Sequence, residues 1–182
     1  MTGSKAFKDI GIFRGAVMAA ALVMLGFSVP AKADTVRVTK DTLLDRVQIE
    51  DIMVDYYEEL MSESKHDVSK YYVDDGVLKA NDFTINGKES IRKFFETARD
   101  PRYVPSAKSH MLMTNPRISV QGNTATFEAI WTGITSENVM STPRIIEQGI
   151  EHTEFVKQGG QWLIKQRAII SQGGMPMALS TN

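Results

Sequence analysis

An α+β domain, with N-terminal helices packed on one face of a curved antiparallel sheet, is the fold class the sequence predicts. Three observations carry it. Between residues 41 and 62 apolar side chains recur at three- and four-residue spacing; from His110 onward the period drops to two; and helical patterns precede strand patterns without any internal repeat.

The N-terminus is read first. Lys5, Lys8 and Arg14 precede the uncharged run "GAVMAAALVMLGFSV", and "AKA" at 31–33 fits a small-x-small cleavage site, so residues 1–33 are expected to be a signal peptide. The run is short for a spanning helix, which disfavours an uncleaved anchor. A periplasmic or secreted protein without stable membrane association follows. Cleavage after Ala33 of the 182-residue chain leaves 149 residues, the size of one domain. Residues 34–172 are assigned to it and 173–182 to a loose Gly- and Met-bearing tail. That mature chain carries 17 lysines and arginines against 21 carboxylates, a formal charge of about −4, which argues against a nucleic-acid partner. The absence of cysteine excludes disulfides, thiol nucleophiles and thiolate metal sites.

"DTLLDRVQIEDIMVDYYEELMS" predicts an amphipathic helix capped by Asp41 or Thr42, with Val47, Ile49, Ile52, Met53, Tyr56 and Leu60 on one stripe. "HDVSKYYVDD" reads as a second, short helix and "GVLKANDFTING" as a strand running into an Asn86-Gly87 turn. "KESIRKFFETAR" is a third helix burying Ile91, Phe94, Phe95 and Ala98, and Pro101 and Pro105 mark the loop after it. In "KSHMLMTNPRISVQGNTATFEAIW" strict alternation puts His110, Leu112, Thr114, Pro116, Ile118 and Val120 on one face, and Ala125, Phe127, Ala129 and Trp131 on one face of the returning strand. "IIEQGIEHTEFVKQ" and "QWLIKQRAIIS" are two further strands joined at Gly159-Gly160.

Four pieces in this order carry a resemblance: "IEDIMVDYYEELM"; "YYVDDGVL" with "NGKESIRKFF"; "SHMLMTNPRISVQGNTATF"; and "HTEFVKQGGQWLIKQR". Together they resemble the SnoaL-like branch of the nuclear-transport-factor-2-like superfamily over nearly all of the mature chain. The resemblance implies a cone-shaped α+β barrel around a deep, mostly apolar pocket, often dimerising through the outer face of its sheet. It does not imply one activity, because isomerases, polyketide cyclases, dehydratases, dehydrochlorinases, epoxide hydrolases and non-catalytic domains share the fold. By that resemblance Tyr56 takes the place of the steroid isomerases' oxyanion-hole tyrosine, and Glu151 that of their protonated aspartic acid. His110 resembles the base of the dehydratases and dehydrochlorinases. The isomerases' general-base aspartate falls on Ala80, with Asp82 two residues on. The aspartate that orients the dehydratase histidine falls on Met61.

Each candidate has two readings. His110, with an ordinary pKa of about 6.5, suits proton transfer from a pocket wall, or is a core histidine bonded to a backbone carbonyl. Glu151 shares a face with Thr153 and Phe155. In an apolar pocket it would donate to an oxyanion or leaving group, on the outer face it would be a solvated carboxylate, and alternation leaves its side open. Tyr56 and Tyr57 are adjacent on a helix, so one of them is expected to face straight into the core, and Tyr56 fits the stripe. Tyr57, Asp82, Phe83, Phe127 and Trp131 are assigned to substrate contact or lining. The three histidines show no metal-ligand spacing, and no nucleotide or phosphate motif is present, so neither metal nor organic cofactor is expected.

The expected function is capture of a small apolar molecule bearing a carbonyl or hydroxyl. Cofactor-independent proton abstraction by His110, with Tyr56 and Glu151 assisting, would make it a lyase or isomerase. A non-catalytic binding or accessory module that forms a homodimer is the alternative.

Overall fold

The computed structural model describes residues 38–61, 67–97 and 108–174. The signal-peptide segment, Ala98, the two loop prolines and residues 175–182 of the tail lie outside them.

Helix α1 spans Lys40–Met61 and α2 spans Lys88–Thr97; a 3₁₀ turn covers Val68–Tyr71. Six strands follow the order β1 Tyr72–Ala80, β2 Phe83–Asn86, β3 Lys108–Gln121, β4 Thr124–Ser136, β5 Arg144–Gln158 and β6 Gln161–Gly173. They form one sheet in the order β2-β1-β6-β5-β4-β3. Four of its ladders are antiparallel as expected, and β1 and β6 pair in parallel. The α+β class therefore holds, in an unclosed mixed sheet with β2 and β3 at its edges. No helix among the described residues is long and apolar enough to cross a membrane.

Local chemistry sets the element ends. Thr39 caps α1 rather than Asp41 or Thr42: its hydroxyl accepts the Thr42 N–H at 3.2 Å while the Thr42 hydroxyl accepts the Thr39 N–H at 3.0 Å. This reciprocal pair satisfies two donors that the first turn leaves without a partner. The expected second helix is only the 3₁₀ turn, capped by Asp67, whose carboxylate accepts Ser69 N–H. Strand β1 then begins at Tyr72. "GVLKANDFTING" is a hairpin, not one strand, because Asn81 takes a left-handed φ of 51° and turns the chain at Asp82.

The core lies between α1 and the inner face of the sheet. Ile49, Met53, Phe127, Phe155, Trp162 and Ile164 are almost fully buried there. Asp45 anchors the start of α1 to the β5–β6 hairpin end, accepting from Lys157 Nζ at 2.6 Å and Trp162 Nε1 at 2.9 Å. Arg46 donates to the Ile118 carbonyl on β3. The helix thus starts at the end of the sheet where the β5–β6 and β3–β4 hairpins turn, and runs toward the other end.

Candidate functional site

Two β-bulges decide which side chains face inward. On β3, Thr114 pairs with Ile130 and Arg117 with Glu128, so β3 carries one extra residue at Asn115–Pro116. Asn115 has φ 54°, and Pro116 brings no N–H to the ladder. The extra residue inverts the alternation. Ile118 is buried, as the sequence predicts, but N-terminal to the bulge the inward set is Met111 and Met113, while His110 and Leu112 are exposed. The expectation that His110 faces the interior is therefore corrected: it stands on the outer face, opposite Ile134 of β4.

On β6, Ile164 pairs with Phe155 and Gln166 with Glu154, so Lys165 is the extra residue. Beyond it the inward positions become Arg167 and Ile169. Arg167 is 1 % exposed and is the residue that the sequence reading missed, since strict alternation from Trp162 and Ile164 points it outward.

The parity of β5, open in the sequence, is resolved by its ladders. Gly149, Glu151, Thr153 and Phe155 are all buried on the inner face. Glu151 lies between Ala129 of β4 and Ile169 of β6, and Thr153 between Phe127 and Arg167. Both tyrosines of α1 are buried, not one: Tyr56 reaches Arg167 and Tyr72, and Tyr57 reaches Glu151.

These residues form a polar layer across the inner face of the sheet. Arg167 Nη2 meets Glu151 Oε2 at 2.7 Å and donates to the Tyr57 hydroxyl at 2.8 Å. Arg167 Nη1 donates to the Tyr56 hydroxyl at 3.3 Å. The Tyr57 hydroxyl donates to Glu151 Oε2, and the Thr153 hydroxyl to Oε1 at 3.2 Å. The guanidinium carbon sits 4.4 Å from the Tyr56 ring centroid and 5.1 Å from that of Tyr57, a cation–π arrangement on two rings. The Tyr56 and Tyr72 hydroxyls pair at 3.3 Å.

Electrostatics keep the tyrosines and Arg167 of the layer in one protonation state. Burial disfavours the phenolates of Tyr56, Tyr57 and Tyr72 and pushes all three pKa values up, although Arg167 pulls the other way. Arg167 is pushed down by burial, but Glu151 and the three tyrosines outweigh this and hold it charged. The tyrosines are hydrogen-bond donors and acceptors here, not bases.

Beyond this layer, away from the hairpin ends, the inner face carries Trp131, Gly149 and Gly133, which are buried, and Met111 and Met113, which are half-buried. Met111, Met113, Ile169, Phe83, Phe94 and Leu60 pack against the core but are not sealed into it. Phe83 stacks on Phe94 at 5.6 Å. Trp131 stands on this side, paired with Met113 and Gly149. Its indole covers Gly149 so closely that a Cβ there would lie 2.6 Å from Trp131 Cζ2 and 2.3 Å from the Ile170 carbonyl oxygen. Of the remaining expected residues, Phe127 is fully buried, level with Thr153 and Arg167, and Asp82 is exposed in its turn, apart from the layer.

Two buried side-chain polar atoms among the described residues lack a partner, Trp131 Nε1 and Arg167 Nε. No group of three or more metal-ligating side chains gathers among the described residues.

The comparisons agree with this architecture. The family described as "SnoaL-like domain" matches residues 41–168. No curated protein matches the chain. A nuclear-transport-factor-2-like protein with a cystatin-like fold from Novosphingobium aromaticivorans superposes with a TM-score of 0.63 at 19% identity, covering 78% of this chain and 92% of that one. From the same organism, a protein assigned as a scytalone dehydratase gives 0.59 at 20%, covering 76% and 93%. The β subunit of a protein assigned as an aromatic-ring-hydroxylating dioxygenase gives 0.63 at 17%, covering 77% and 97%. At these identities the likeness is one of fold.

Proposed function

The chain belongs to the SnoaL-like domain family, and we propose that it binds a small apolar organic molecule on the half-buried side of its cone, beyond the Tyr57–Glu151–Arg167 layer. One observation carries the reading. The inner face changes along the strands from sealed core, through a polar layer with paired charges, to an apolar end where Trp131 is buried and Met111 and Met113 keep part of their surface open. Half-buried methionines and phenylalanines facing a polar floor are the composition of a small-molecule site.

Binding is favoured over catalysis because Glu151 is committed to Arg167, Tyr57 and Thr153, and its side chain has no exposed surface. His110 faces away from the layer, and Ala80 and Met61 stand at the two positions where the family resemblance implies an aspartate. The second reading is cofactor-independent elimination or isomerisation, with Tyr56, Tyr57 and Glu151 polarising a carbonyl. A fold neighbour assigned as a scytalone dehydratase favours it.

The test is tryptophan fluorescence in a Trp162→Phe variant, which leaves Trp131 as the sole reporter. Saturable quenching or a spectral shift on addition of small bicyclic aromatics supports the binding reading. A flat titration up to their solubility limits refutes it. Turnover of any of them, followed by chromatography, would move the assignment to the enzymatic reading.

Two further proposals concern context. Leu112, Ile130, Ile150 and Ile170 are exposed on four adjacent strands of the outer face, an apolar band suited to a second copy of the chain. Light scattering would return the mass of a dimer, and Ile150→Glu that of a monomer. Export to the periplasm or medium rests on the leader-like sequence of residues 1–33, and an N-terminus near Asp34 in the exported protein would establish it.

A further inference from the structure

Helix α1 is apolar on two opposite sides. Ile49, Met53, Tyr56 and Tyr57 face the sheet and are buried, while Leu43, Leu44, Val47 and Val54 are between 46 and 66 % exposed on the other side. These four recur at three-, four- and seven-residue spacing, so they form one outward stripe about three turns long. A surface helix ordinarily keeps that side polar, as α2 does, which exposes no large apolar side chain.

The charges along α1 are mostly of one sign. Asp45, Arg46 and Glu59 are engaged elsewhere in the fold, by Lys157 and Trp162, the Ile118 carbonyl and Lys70. That leaves Asp41, Glu50, Asp51, Asp55 and Glu58 exposed, against Lys40 alone. The arrangement costs the helix stability. Asp51 and Asp55 repel at four-residue spacing, Asp55 and Glu58 lie near the negative end of the helix dipole, and the last turn holds no basic residue. Local conflicts of this kind are expected where a surface serves function.

The same charges decide what covers the stripe. An anionic lipid surface is repelled by them, and a second copy of the chain would bring the same acids to the contact. A basic partner gains twice, by burying the apolar side chains and by neutralising the carboxylates. Residues three, four and seven apart are the seam that another helix fills.

We propose that the outward side of α1 is a docking surface for a basic amphipathic helix of a partner protein. That helix lays its apolar side on Leu43, Leu44, Val47 and Val54 and its lysines or arginines against Glu50, Asp51, Asp55 and Glu58. The inference is separate from the binding reading, since the stripe lies on the side of α1 turned away from the sheet.

The experiment titrates ¹⁵N-labelled protein with three peptides. The first holds leucine and lysine with the leucines at three- and four-residue spacing. The second replaces its lysines by glutamate, and the third arranges the first peptide's residues in strict alternation. The first is expected to bind in the micromolar range and to shift amide signals within residues 40–58. The other two should bind at least about tenfold more weakly. Leu44→Gln with Val47→Gln alters two exposed positions that the fold tolerates, and should weaken the first peptide about tenfold. Asp51→Asn with Asp55→Asn should weaken it too and reduce its dependence on salt. Glu128→Gln, a carboxylate removed on the sheet, should leave it unchanged.

If the glutamate or the alternating peptide binds as tightly as the first, the basic-helix assignment falls. If none binds, or if the glutamine pair leaves the first peptide's affinity unaltered, the docking surface itself is refuted. If that pair instead turns a dimer of the unliganded protein into a monomer by light scattering, the occupant is a second copy and the proposal is overturned. Capture of the protein on vesicles of anionic phospholipid, abolished by the same pair, would overturn it as well.

Discussion

Replacing Glu151 by glutamine removes the counter-charge of a guanidinium that has no access to water while keeping the side chain's size. The pair is 2.7 Å apart, with side-chain exposures of 2 % for Arg167 and 0 % for Glu151. At an effective dielectric of about 20 the attraction at that distance is roughly 6 kcal/mol. Part of it survives as a hydrogen bond to the glutamine oxygen, and the cation–π contacts with Tyr56 and Tyr57 persist. A loss of about 3–5 kcal/mol is expected, the usual cost of breaking one side of a buried pair. In a domain of this size that corresponds to roughly 10 °C or more in Tm. Urea unfolding at pH 7 followed by circular dichroism measures it. Arg167→Met is expected to cost a similar amount, since it strands the carboxylate. The double variant should cost at least about 2 kcal/mol less than the sum, because neither charge is then left alone. A loss under about 1 kcal/mol for Glu151→Gln, or strict additivity in the cycle, would refute the idea that the two charges hold each other in the interior.

The raised pKa values of Tyr56, Tyr57 and Tyr72 set the alkaline limit. The unfolded chain loses these protons near pH 10 while the folded chain retains them, so stability is complete below pH 10 and falls as pH rises above it. Absorbance at 295 nm should show these three phenols ionising together with unfolding, not before. For Asp45 the sign is opposite: its bonds to Lys157 and Trp162 hold its pKa below the ordinary carboxylate value, so the stability it contributes is lost as pH falls below about 4. Asp45→Asn should flatten that acid limb and cost about 1 kcal/mol or less at pH 7. Gly149→Ala is expected to destabilise by about 1–3 kcal/mol, because the added methyl meets a backbone carbonyl that cannot move aside. The same variant should shift Trp131 fluorescence. His110→Ala should change stability by less than about 0.5 kcal/mol and leave ligand affinity unaltered, as for any exposed residue remote from the site.

How much of this could be read in the chain depends on how local the determining chemistry is. The helix over 40–61 and the long strands after residue 108 follow from side-chain periodicity, which is written residue by residue. The inward face of β4 was legible for the same reason: Ala125, Phe127, Ala129 and Trp131 sit on an uninterrupted stretch of the strand. His110 and Arg167 were misplaced because one inserted residue inverts everything on one side of it. For His110 a signal existed, since Asn-Pro inside a strand is the mark of a bulge or an edge. For Arg167 there was none comparable, as Lys165 is an ordinary strand residue whose unpaired position appears only in the ladder with β5. The short helix expected at 66–75 failed for a related reason. Tyr72 and Val73 are apolar enough for either state, and pairing with β6 decides for the strand. The neutralisation of Glu151 could not be read at all, because it depends on a partner 16 residues away reaching the same face.

The claim at the centre of the account is that a ligand enters at the Met111–Met113 end of the inner face and rests on the polar layer without reaching the core behind it. Methyl NMR of protein labelled at methionine Cε tests this directly, because methionines stand on both sides of the layer. On titration with 1-tetralone the account predicts shifts at Met111 and Met113, intermolecular cross-peaks to both, and no change at Met53, which is fully buried behind Tyr56 and Tyr57. Shifts centred on Met53, or none at Met111 and Met113 while the ligand demonstrably binds, would contradict it.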